Sequence, residues 1–319
     1  MKLSVIIPIH NRARTIARTL LSLPDSSRQD YEIIVSDDAS TDDSVSIVES
    51  LRIPNLKVVR SLVKTNGNAA RNGGLRASSG EIVAFLDSDD EFAPARIPGL
   101  VAYFQSNPEV EVIMGNFSTE LNGILRGFQF KEPKLSKQLL HDALVCHAIP
   151  ITFSSIAVRK SSFSKLGTLD EMVERHQDRD FILSALASDC NISLQNSDDV
   201  VKHQSADSFS RSGIGYMRAL EVLARKHDLF HSDTQVLVKE YLVLRSLLHS
   251  FAGLKLSEFA GNLREFWSAP TLNRHRTLRV WSYFSGKKVR RRMERQLVKH
   301  CACSAFTGAH KKCRNAPNA

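Results

Sequence analysis

Short, continuous runs of apolar residues alternate with helical patterns along the first third of the chain. Each run is rich in Val, Ile and Leu and lacks the polar alternation of a strand with one face in water. Such strands are buried on both faces, and strands that alternate with helices form βα units around a largely parallel sheet. The sequence therefore predicts an α/β fold, with strands at Leu3–Ile7, Glu32–Ser36, Leu56–Val59 and Ile82–Leu86.

Apolar residues at helical spacing occupy several segments between and beyond these runs. The predicted helices are Thr15–Leu23, Ser44–Leu51, Ile97–Asn107 and Phe181–Ala187. Two more strands are predicted at Val110–Met114 and Ile151–Val158. We therefore expect a Rossmann-like, mostly parallel central sheet flanked by helices.

Charge is distributed unevenly along the chain. Residues 211–319 carry 21 Lys and Arg against 7 Asp and Glu, whereas the preceding residues carry 22 against 27. Helical patterns at 215–231, 234–251, 256–267 and 286–300 fill the basic part. We expect one domain at 1–212 and a basic helical extension at 213–319 that faces an anionic partner.

Neither the cysteines nor the start of the chain indicates export. The five cysteines are scattered and odd in number, which does not suit a disulfide framework and fits a reducing compartment. The first apolar run is interrupted by Pro8 and is too brief for a signal peptide. No apolar stretch reaches the ~18 residues of a membrane span. We expect a cytoplasmic protein, with any contact to the inner membrane face being peripheral.

A cluster of aspartates follows the fourth apolar run. Asp87, Asp89 and Asp90 lie at the carboxyl end of that strand, where open α/β sheets bind their ligands. Close carboxylates repel one another unless a cation lies between them, and Mn²⁺ or Mg²⁺ accepts such oxygens and bridges to phosphates. The cluster therefore indicates a Mn²⁺ or Mg²⁺ site, and the alternative is a solvated acidic turn or a helix N-cap.

Polar residues also follow the first and second runs, at the same expected edge of the sheet. Pro8, His10 and Asn11 end the first run, and Asp37 and Asp38 end the second. A carboxylate accepts hydrogen bonds from a base or a ribose, and the His10 ring can stack on a base. These loops indicate a nucleoside site. The alternative for the two aspartates is to cap the following helix.

A glycine-rich segment, Gly67–Gly74, precedes the acidic cluster and contains Arg71. Backbone N–H groups at a helix entry and a guanidinium both suit the oxygens of a diphosphate. The segment matches neither a Walker loop nor the spaced glycines of dinucleotide folds. It supports a diphosphate site only together with its neighbours.

In their order along the chain, these motifs resemble glycosyltransferase family 2. The resemblance covers about residues 3–210 and rests on Ser4–Asn11, Ile34–Asp42, Ala70–Asn72 and Phe85–Asp90. It implies a GT-A fold and a transfer of sugar from a nucleotide sugar, with a divalent metal against the donor diphosphate. The domain at 1–212 would then be the glycosyltransferase domain, with a donor half at about 1–115 and an acceptor half at about 116–212. The implied donor-binding residues are Pro8, His10, Asn11, Asp38, Arg71, Asp87 and Asp89, and the implied metal ligands are Asp89, Asp90 and His203.

Within this set the resemblance implies that Asp38 reads the base and Arg71 contacts the phosphates. The spacing leaves open which of the three clustered carboxylates binds metal directly. His203 lies in a stretch, Val201–Ser205, that is similar to the part of the family that closes over the donor. A packed or surface histidine is the alternative for it.

Asp178 matches the catalytic base of the family. An inverting transfer needs one carboxylate to accept the proton of the acceptor hydroxyl, and the resemblance gives Asp178 this role. The family usually has a Glu-Asp pair here, whereas this chain has Gln177 before Asp178, which puts the positioning of the acceptor in question. The alternative is that Asp178 caps the helix predicted from Phe181.

The basic extension offers two further sites. The run Lys287–Arg295 follows Trp281, Tyr283 and Phe284 and suits an anionic membrane surface, while a solvated helix face or nucleic acid binding are the alternatives. We favour the membrane because the resemblance implies lipid-linked acceptors, and nucleic acid is the less favoured partner. The cysteines near the end have a spacing that does not suit zinc.

The sequence therefore predicts a metal-dependent inverting glycosyltransferase, a hexosyl- or N-acetylhexosaminyltransferase. Its donor would be a nucleotide sugar of UDP type, and its acceptor a glycan or lipid-linked glycan in the biosynthesis of surface polysaccharide. Two alternatives remain: a nucleotidyltransferase, and a non-catalytic basic module that binds membrane or nucleic acid.

Overall fold

A computed structural model describes residues 1–24, 31–121, 123–130, 135–145, 149–203, 222–223 and 225–227. A central sheet of seven strands contains β1 (Leu3–Ile9), β2 (Tyr31–Asp38), β3 (Leu56–Ser61), β4 (Ile82–Phe85), β6 (Val112–Gly115), β9 (Ile156–Arg159) and β10 (Ile192–Gln195). A smaller sheet contains β5 (Glu91–Phe92), β7 (Phe117–Leu121), β8 (Ile124–Phe128) and β11 (Val200–His203). The helices are α1 (Ile16–Leu21), α2 (Ser44–Ser50), α3 (Gly67–Ala77), α4 (Arg96–Ser106), α5 (Lys137–Val145), α6 (Phe163–Leu166) and α7 (Gln177–Ala187).

The central sheet has the strand order β10-β6-β9-β4-β1-β2-β3. All neighbouring strands in it are parallel except β9, which runs antiparallel to both β4 and β6. Strands β9 and β10 belong to the predicted acceptor half, and β4 and β6 belong to the predicted donor half. The two halves therefore share one sheet, and the predicted mostly parallel α/β fold is confirmed.

Both faces of the central sheet are covered by apolar side chains. Along β1, Ile6 packs into one apolar cluster with Phe85 and the α7 residue Ile182, while Val5 and Ile7 pack into a second cluster. Alternate side chains of a strand point to opposite faces, so a strand that is buried on both sides is apolar at every position. This is why the strands read as continuous apolar runs in the sequence.

Two predicted elements differ from the structure. The helix predicted from Phe181 begins four residues earlier, at Gln177. Its first turn contains Arg179 and Asp180, which are buried through polar contacts, so the spacing of apolar residues does not reveal this turn. The strand predicted at Ile151–Val158 is shorter, since a 3₁₀ turn at Phe153–Ser155 precedes β9.

Most of the basic extension lies outside the described residues. This applies to the boundary near residue 212, the run Lys287–Arg295 and the three cysteines near the end, Cys301, Cys303 and Cys313. Two short pieces are described, and in them Leu223 is buried in the core while Lys226 forms ion pairs with Asp170 and Asp180 at 2.7 and 2.9 Å. None of the helices in the described ranges has the length and apolar content to cross a bilayer.

Glu32 joins three strands from a buried position on β2. Its side chain accepts hydrogen bonds from Ser4 on β1 at 2.7 Å and from the backbone N–H of Ser79 at 2.6 Å, and it pairs with Lys57 on β3 at 2.8 Å. Burial alone would raise the pKa of Glu32, but Lys57 and these hydrogen bonds outweigh it and lower the pKa from 4.5 to about 2. The ionised form therefore stabilises the fold.

We expect Glu32→Gln to lower the free energy of unfolding by up to about 3 kcal/mol near neutral pH. Because folding lowers the pKa, this contribution is complete above about pH 4.5 and is lost as the pH falls toward about 2. Urea denaturation at neutral pH and at about pH 3 measures the difference between wild type and variant, which should shrink at the lower pH. Glu49→Gln is the control, since Glu49 pairs with Arg60 at an exposed position. A difference that is the same at both pH values would contradict this role of Glu32.

Candidate active site

The carboxyl ends of β1, β2 and β4 meet at one edge of the central sheet. Ile9 at the end of β1 is paired with Asp37, and Ile6 is paired with Phe85, two residues before the acidic cluster. The loops that follow these strands therefore start side by side, as the sequence predicts. The residues after Ile9, the pair Asp37 and Asp38, and the aspartates after Phe85 face one crevice.

His10, Asn11 and Asp38 form the first part of this crevice. Nδ1 of His10 lies 2.8 Å from the carbonyl oxygen of Asp38, and the Asn11 side chain accepts a hydrogen bond from the Thr41 backbone at 2.8 Å. The buried Asp38 carboxylate accepts hydrogen bonds through Oδ1 from the backbone and hydroxyl of Thr65, at 2.9 and 2.7 Å. Its Oδ2 makes no hydrogen bond within the described ranges. The Asp38 carboxylate is therefore fixed by Thr65 through Oδ1, and its Oδ2 remains available to a ligand.

Neither Asp37 nor Asp38 caps helix α2. Asp37 accepts a hydrogen bond from the backbone of Ser40 at 3.1 Å, whereas Asp42 accepts from the backbone of Ser44, the first residue of α2, at 3.0 Å. The N-cap position of α2 is Asp43, whose side chain makes no capping hydrogen bond, and the first N–H of the helix is bonded by Asp42 instead. The two strand-end aspartates shape the loop at the crevice instead.

Helix α3 begins beside this loop, at Gly67. Its N-cap Asn66 accepts hydrogen bonds from the backbone of Asn68 and Ala69, so these two N–H groups already have a partner. A Cβ atom at Gly67 would lie 2.9 Å from the side chain of Arg71, which explains the glycine there. Of the groups predicted to contact a diphosphate, the Arg71 side chain is therefore better placed than the helix entry.

Arg71 lies between the acidic cluster and helix α7. One guanidinium nitrogen, Nη2, donates to Asp87 Oδ1 at 2.6 Å, and the other, Nη1, donates to Gln177 Oε1 at 3.0 Å. The guanidinium carbon lies 3.9 Å from the centre of the Phe153 ring, on which it stacks. Arg71 is thereby fixed in one orientation and joins the donor side of the crevice to the helix that contains Asp178.

The three carboxylates of the cluster have different surroundings. Asp90 is fully buried and accepts hydrogen bonds from the Ser154 hydroxyl at 2.6 Å and from the His203 backbone at 3.2 Å. Asp87 is ion-paired with Arg71. The Asp89 carboxylate is partly exposed and makes no hydrogen bond to any residue that the structure describes. Among the described residues, Asp89 is thus the member of the cluster whose carboxylate makes no hydrogen bond, while its backbone carbonyl accepts one from Arg18 at 2.7 Å.

The electrostatics of the cluster follow from these contacts. Burial, together with the charges of Asp87 and Asp89, raises the pKa of Asp90 to about 7 although Lys202 opposes this shift. Burial would also raise the pKa of Asp87, but the charges of Arg71 and Lys202 outweigh it and hold the pKa below its ordinary value. Asp87 is therefore ionised at neutral pH, and the cluster has a strong demand for positive charge.

Asp178 lies across the crevice, in the first turn of helix α7. Burial raises its pKa above the ordinary value, against the opposing charge of Arg179, and the charges of Lys202 and Asp87 also act on it. The structure therefore brings Asp178 to the same site as the acidic cluster. A carboxylate with a raised pKa binds a proton more readily, which suits a general base.

Gln177 takes the place of the Glu that is usual in the family. Its Oε1 accepts the hydrogen bond from Arg71, and its Nε2 donates to the carbonyl of Val173 at 2.8 Å. The amide therefore keeps a contact with the guanidinium but leaves Arg71 with a single carboxylate partner, Asp87. The donor side consequently retains more positive charge than a Glu would leave there.

His203 lies at the end of β11, next to the cluster, with its ring between two glutamates. Nδ1 is 3.2 Å from Glu120 and Nε2 is 2.7 Å from Glu91, although the second contact lacks the alignment of a hydrogen bond. The backbone of His203 contacts Asp90, but its ring nitrogens face away toward the glutamates. Its predicted role as a metal ligand stays a prediction.

No three His, Cys, Asp or Glu side chains among the described residues are arranged to hold a metal ion by themselves. Mg²⁺ and related ions are commonly bound by one or two carboxylates with substrate phosphates completing the shell. The free Asp89 carboxylate and the excess negative charge around it fit that arrangement. A closed cage built only from protein ligands does not fit.

Lys202 is the residue at this site that the motifs did not single out. Its ammonium nitrogen is 3.6 Å from Asp90 Oδ2 and 3.3 Å from the Thr152 hydroxyl. Thr152 and Ser154, which also contact the acidic cluster, were missed as well. A lone Lys in a strand and a Thr before a turn have no spacing that identifies them, and the only signal for Lys202 was its position beside His203.

Comparison with known proteins identifies the family of the chain. The model of the family described as glycosyl transferase family 2 matches residues 4–167. A relative from Haemophilus influenzae, an uncharacterized glycosyltransferase, is 29% identical over 185 residues, covering 58% of this chain and 62% of the relative. The GalNAc(5)-diNAcBac-PP-undecaprenol beta-1,3-glucosyltransferase of Campylobacter jejuni is 35% identical over 147 residues, 43% of this chain and 46% of the relative. The chain thus spans about half the length of these relatives.

A solved structure extends the comparison to the fold. A fragment of TarS from S. aureus, crystallised in complex with UDP-GlcNAc, superposes with a TM-score of 0.61 at 21% identity, covering 88% of this chain and 83% of the other. At that identity the likeness establishes the fold, which is GT-A. Since the family model also matches half of the chain, the chain belongs to glycosyltransferase family 2 and has a GT-A fold.

Proposed function

We propose that this enzyme transfers a hexose or N-acetylhexosamine, with inversion, from a UDP-type nucleotide sugar to a glycan or lipid-linked acceptor. The observation that carries the proposal is the joining of Asp178 to the acidic cluster through Arg71, Asp87 and Gln177 in one crevice. A donor and an acceptor must meet between such groups for a sugar to pass from one to the other.

The nucleoside part of the donor would lie against His10, Asn11 and Asp38. Asp38 has one carboxylate oxygen held by Thr65, which leaves the other to accept a hydrogen bond from the base. Pro8 is the next-to-last residue of β1, just before this loop, and is paired with Ser36 on β2. The name of one relative, an Escherichia coli glucosyltransferase that is 28% identical over 133 residues, specifies a UDP-glucose donor, which supports a UDP-type donor here.

The diphosphate would lie between Arg71 and the acidic cluster, with Mn²⁺ or Mg²⁺ held by Asp89 and Asp90 and, as the sequence predicts, His203. When bound, the ion would supply positive charge to the diphosphate as it leaves. Asp87 would orient Arg71 toward the phosphates through its ion pair. We assign metal binding first to Asp89, because its carboxylate makes no hydrogen bond among the described residues, and second to the buried Asp90.

The transfer itself would use Asp178 as the general base. As the acceptor oxygen forms a bond to the anomeric carbon, its proton passes to the Asp178 carboxylate. The bond between the anomeric carbon and the β-phosphate oxygen breaks on the opposite side, and its electron pair stays on the nucleoside diphosphate. Attack opposite the leaving group inverts the configuration.

For the acceptor and the compartment we propose a class of molecule and a membrane face. The names of the Campylobacter jejuni and Escherichia coli relatives specify diphosphoundecaprenol-linked glycans, which supports a lipid-linked acceptor in surface polysaccharide assembly. Such an acceptor lies in a membrane, so we keep the proposal that the basic run Lys287–Arg295 contacts an anionic inner membrane face. A nucleotidyltransferase is disfavoured because it would leave Asp178 without a task.

Protection against thermal unfolding tests donor binding directly. Donor present at about 100 times its Kd should stabilise the fold by about 2.7 kcal/mol. We expect UDP-sugars to raise Tm in the presence of Mn²⁺, while GDP-, CMP- and dTDP-sugars have smaller effects. Asp38→Ala is the variant that should lose the protection, and Glu49→Gln is the control that should keep it. The proposal fails if no nucleotide sugar raises Tm with or without Mn²⁺.

A further inference from the structure

Lys202 on β11 extends its side chain into the acidic crevice. The ammonium lies 3.6 Å from Asp90 and 3.3 Å from the Thr152 hydroxyl, and the charges of Asp87, Asp89 and Asp178 also act on it. About a third of its side-chain surface remains exposed. Lys202 therefore sits among the carboxylates of both sides of the crevice and can still be reached by a ligand.

The contacts of Lys202 leave most of its hydrogen-bonding capacity unused. An ammonium has three N–H donors, and among the described residues only the Thr152 hydroxyl accepts from it, at 3.3 Å. The ion pair with Asp90, at 3.6 Å, is longer than a hydrogen bond. Asp90 itself accepts hydrogen bonds from Ser154 and from the His203 backbone. A purely structural lysine would instead bond its carboxylate partner directly.

Arg71, a second cation at the crevice, is held more tightly. Arg71 uses both terminal nitrogens of its guanidinium, one on Asp87 and one on Gln177, and its face is stacked on Phe153. Arg71 Nε has no hydrogen-bond partner among the described residues, but the Arg71 side chain is only 8% exposed, whereas Lys202 combines spare donors with 33% exposure. Phosphate oxygens are acceptors that an ammonium binds as a point charge.

We propose that Lys202 is a substrate-binding and catalytic residue whose ammonium binds the donor diphosphate and neutralises the charge that develops on it as the sugar leaves. This inference rests on the proposed function and adds a residue to it. The electron pair of the broken bond to the anomeric carbon stays on the β-phosphate oxygen, and Lys202 would stabilise that oxygen without transferring a proton. The protein thus contributes a fixed cation of its own beside any metal.

Comparison of a nucleoside diphosphate with its nucleoside tests the inference. UDP and uridine are titrated calorimetrically against wild type, Lys202→Met and Lys202→Arg, each with and without Mn²⁺. We expect Lys202→Met to weaken UDP binding about 10- to 100-fold and to leave uridine binding within about twofold. Lys202→Arg should recover most of the UDP affinity. Lys165→Met is the control, since Lys165 pairs with Glu111 outside the crevice and should bind both probes like wild type.

The outcomes separate this inference from the proposed function. If wild type binds UDP and Lys202→Met binds it equally well, the inference is wrong while the proposed function stands. If Lys202→Met weakens UDP and uridine by the same factor, the residue is structural and the inference is again wrong; melting curves of the variants identify this case. If wild type binds no UDP, the UDP-type donor is refuted, and the inference with it.

Discussion

Asp178→Asn should lower kcat by about 10²- to 10⁴-fold and leave the affinity for the nucleotide sugar nearly unchanged. The amide keeps the size of the side chain but cannot accept the proton of the acceptor hydroxyl. Asp178 lies in the first turn of α7, where the backbone of Arg179 donates to it at 2.8 Å, so the shape of the helix start should persist. Initial rates of transfer and donor titrations on the same preparation measure the two quantities.

Asp189→Asn is the matched control for this substitution. Asp189 follows the other end of the same helix, is exposed and pairs with Lys137, so its loss should change kcat by less than about twofold. A parallel fall in donor affinity for Asp178→Asn would indicate damage to the crevice rather than loss of a base. Retention of more than about a tenth of the wild-type kcat would remove Asp178 from the base role.

Arg71→Met should lower kcat/KM by about 10²- to 10⁴-fold, because the guanidinium would make two charge-assisted hydrogen bonds to the diphosphate, of about 1.5–3 kcal/mol each, and both are lost. The change removes the contact with the diphosphate, leaves Asp87 without its cation and breaks the connection to Gln177. Met fills the space over the Phe153 ring, so packing is largely retained. Steady-state kinetics with the preferred nucleotide sugar measures the loss.

Arg76→Met separates this effect from damage to helix α3. Arg76 lies on the same helix, is exposed and is remote from the acidic cluster in its contacts. It should retain wild-type kcat/KM within about twofold. Arg71→Lys should recover only part of the activity, since an ammonium cannot bond Asp87 and Gln177 in the planar arrangement of a guanidinium. Equal activity of Arg71→Met and Arg76→Met would contradict the placement of the phosphates beside Arg71.

The acidic cluster shows what the spacing of residues in the sequence can and cannot predict. The sequence placed Asp87, Asp89 and Asp90 at a strand end because a buried apolar run stops immediately before them. It could not distinguish their roles, since these depend on side chains that arrive from distant segments. Asp90 accepts hydrogen bonds from Ser154 and from the backbone of His203, and Asp87 is paired with Arg71. The Asp89 carboxylate is the one in the cluster that has no such partner among the described residues.

Long-range contacts also account for what the sequence missed. Lys202 lies at the site because β11 pairs with β5, beside the end of the acidic loop, and with β7. These pairings join segments that are far apart in the sequence. The start of α7 was placed four residues late because Arg179 and Asp180 are buried by polar contacts rather than by apolar packing. By contrast, β1, β2 and β4 could be predicted well, since burial on both faces leaves a continuous apolar run in the sequence.

The most direct test of the account is the release of nucleoside diphosphate from nucleotide sugars, measured for wild type and Asp89→Asn over a titration of Mn²⁺. The account predicts that wild type releases UDP from at least one UDP-sugar in an Mn²⁺-dependent manner. It further predicts that Asp89→Asn requires about 10-fold or more Mn²⁺ for half-maximal rate, because the free carboxylate of the cluster is lost. Wild-type turnover that Mn²⁺ and Mg²⁺ do not affect, with Asp89→Asn as active as wild type, would contradict the metal-dependent site at Asp87, Asp89 and Asp90.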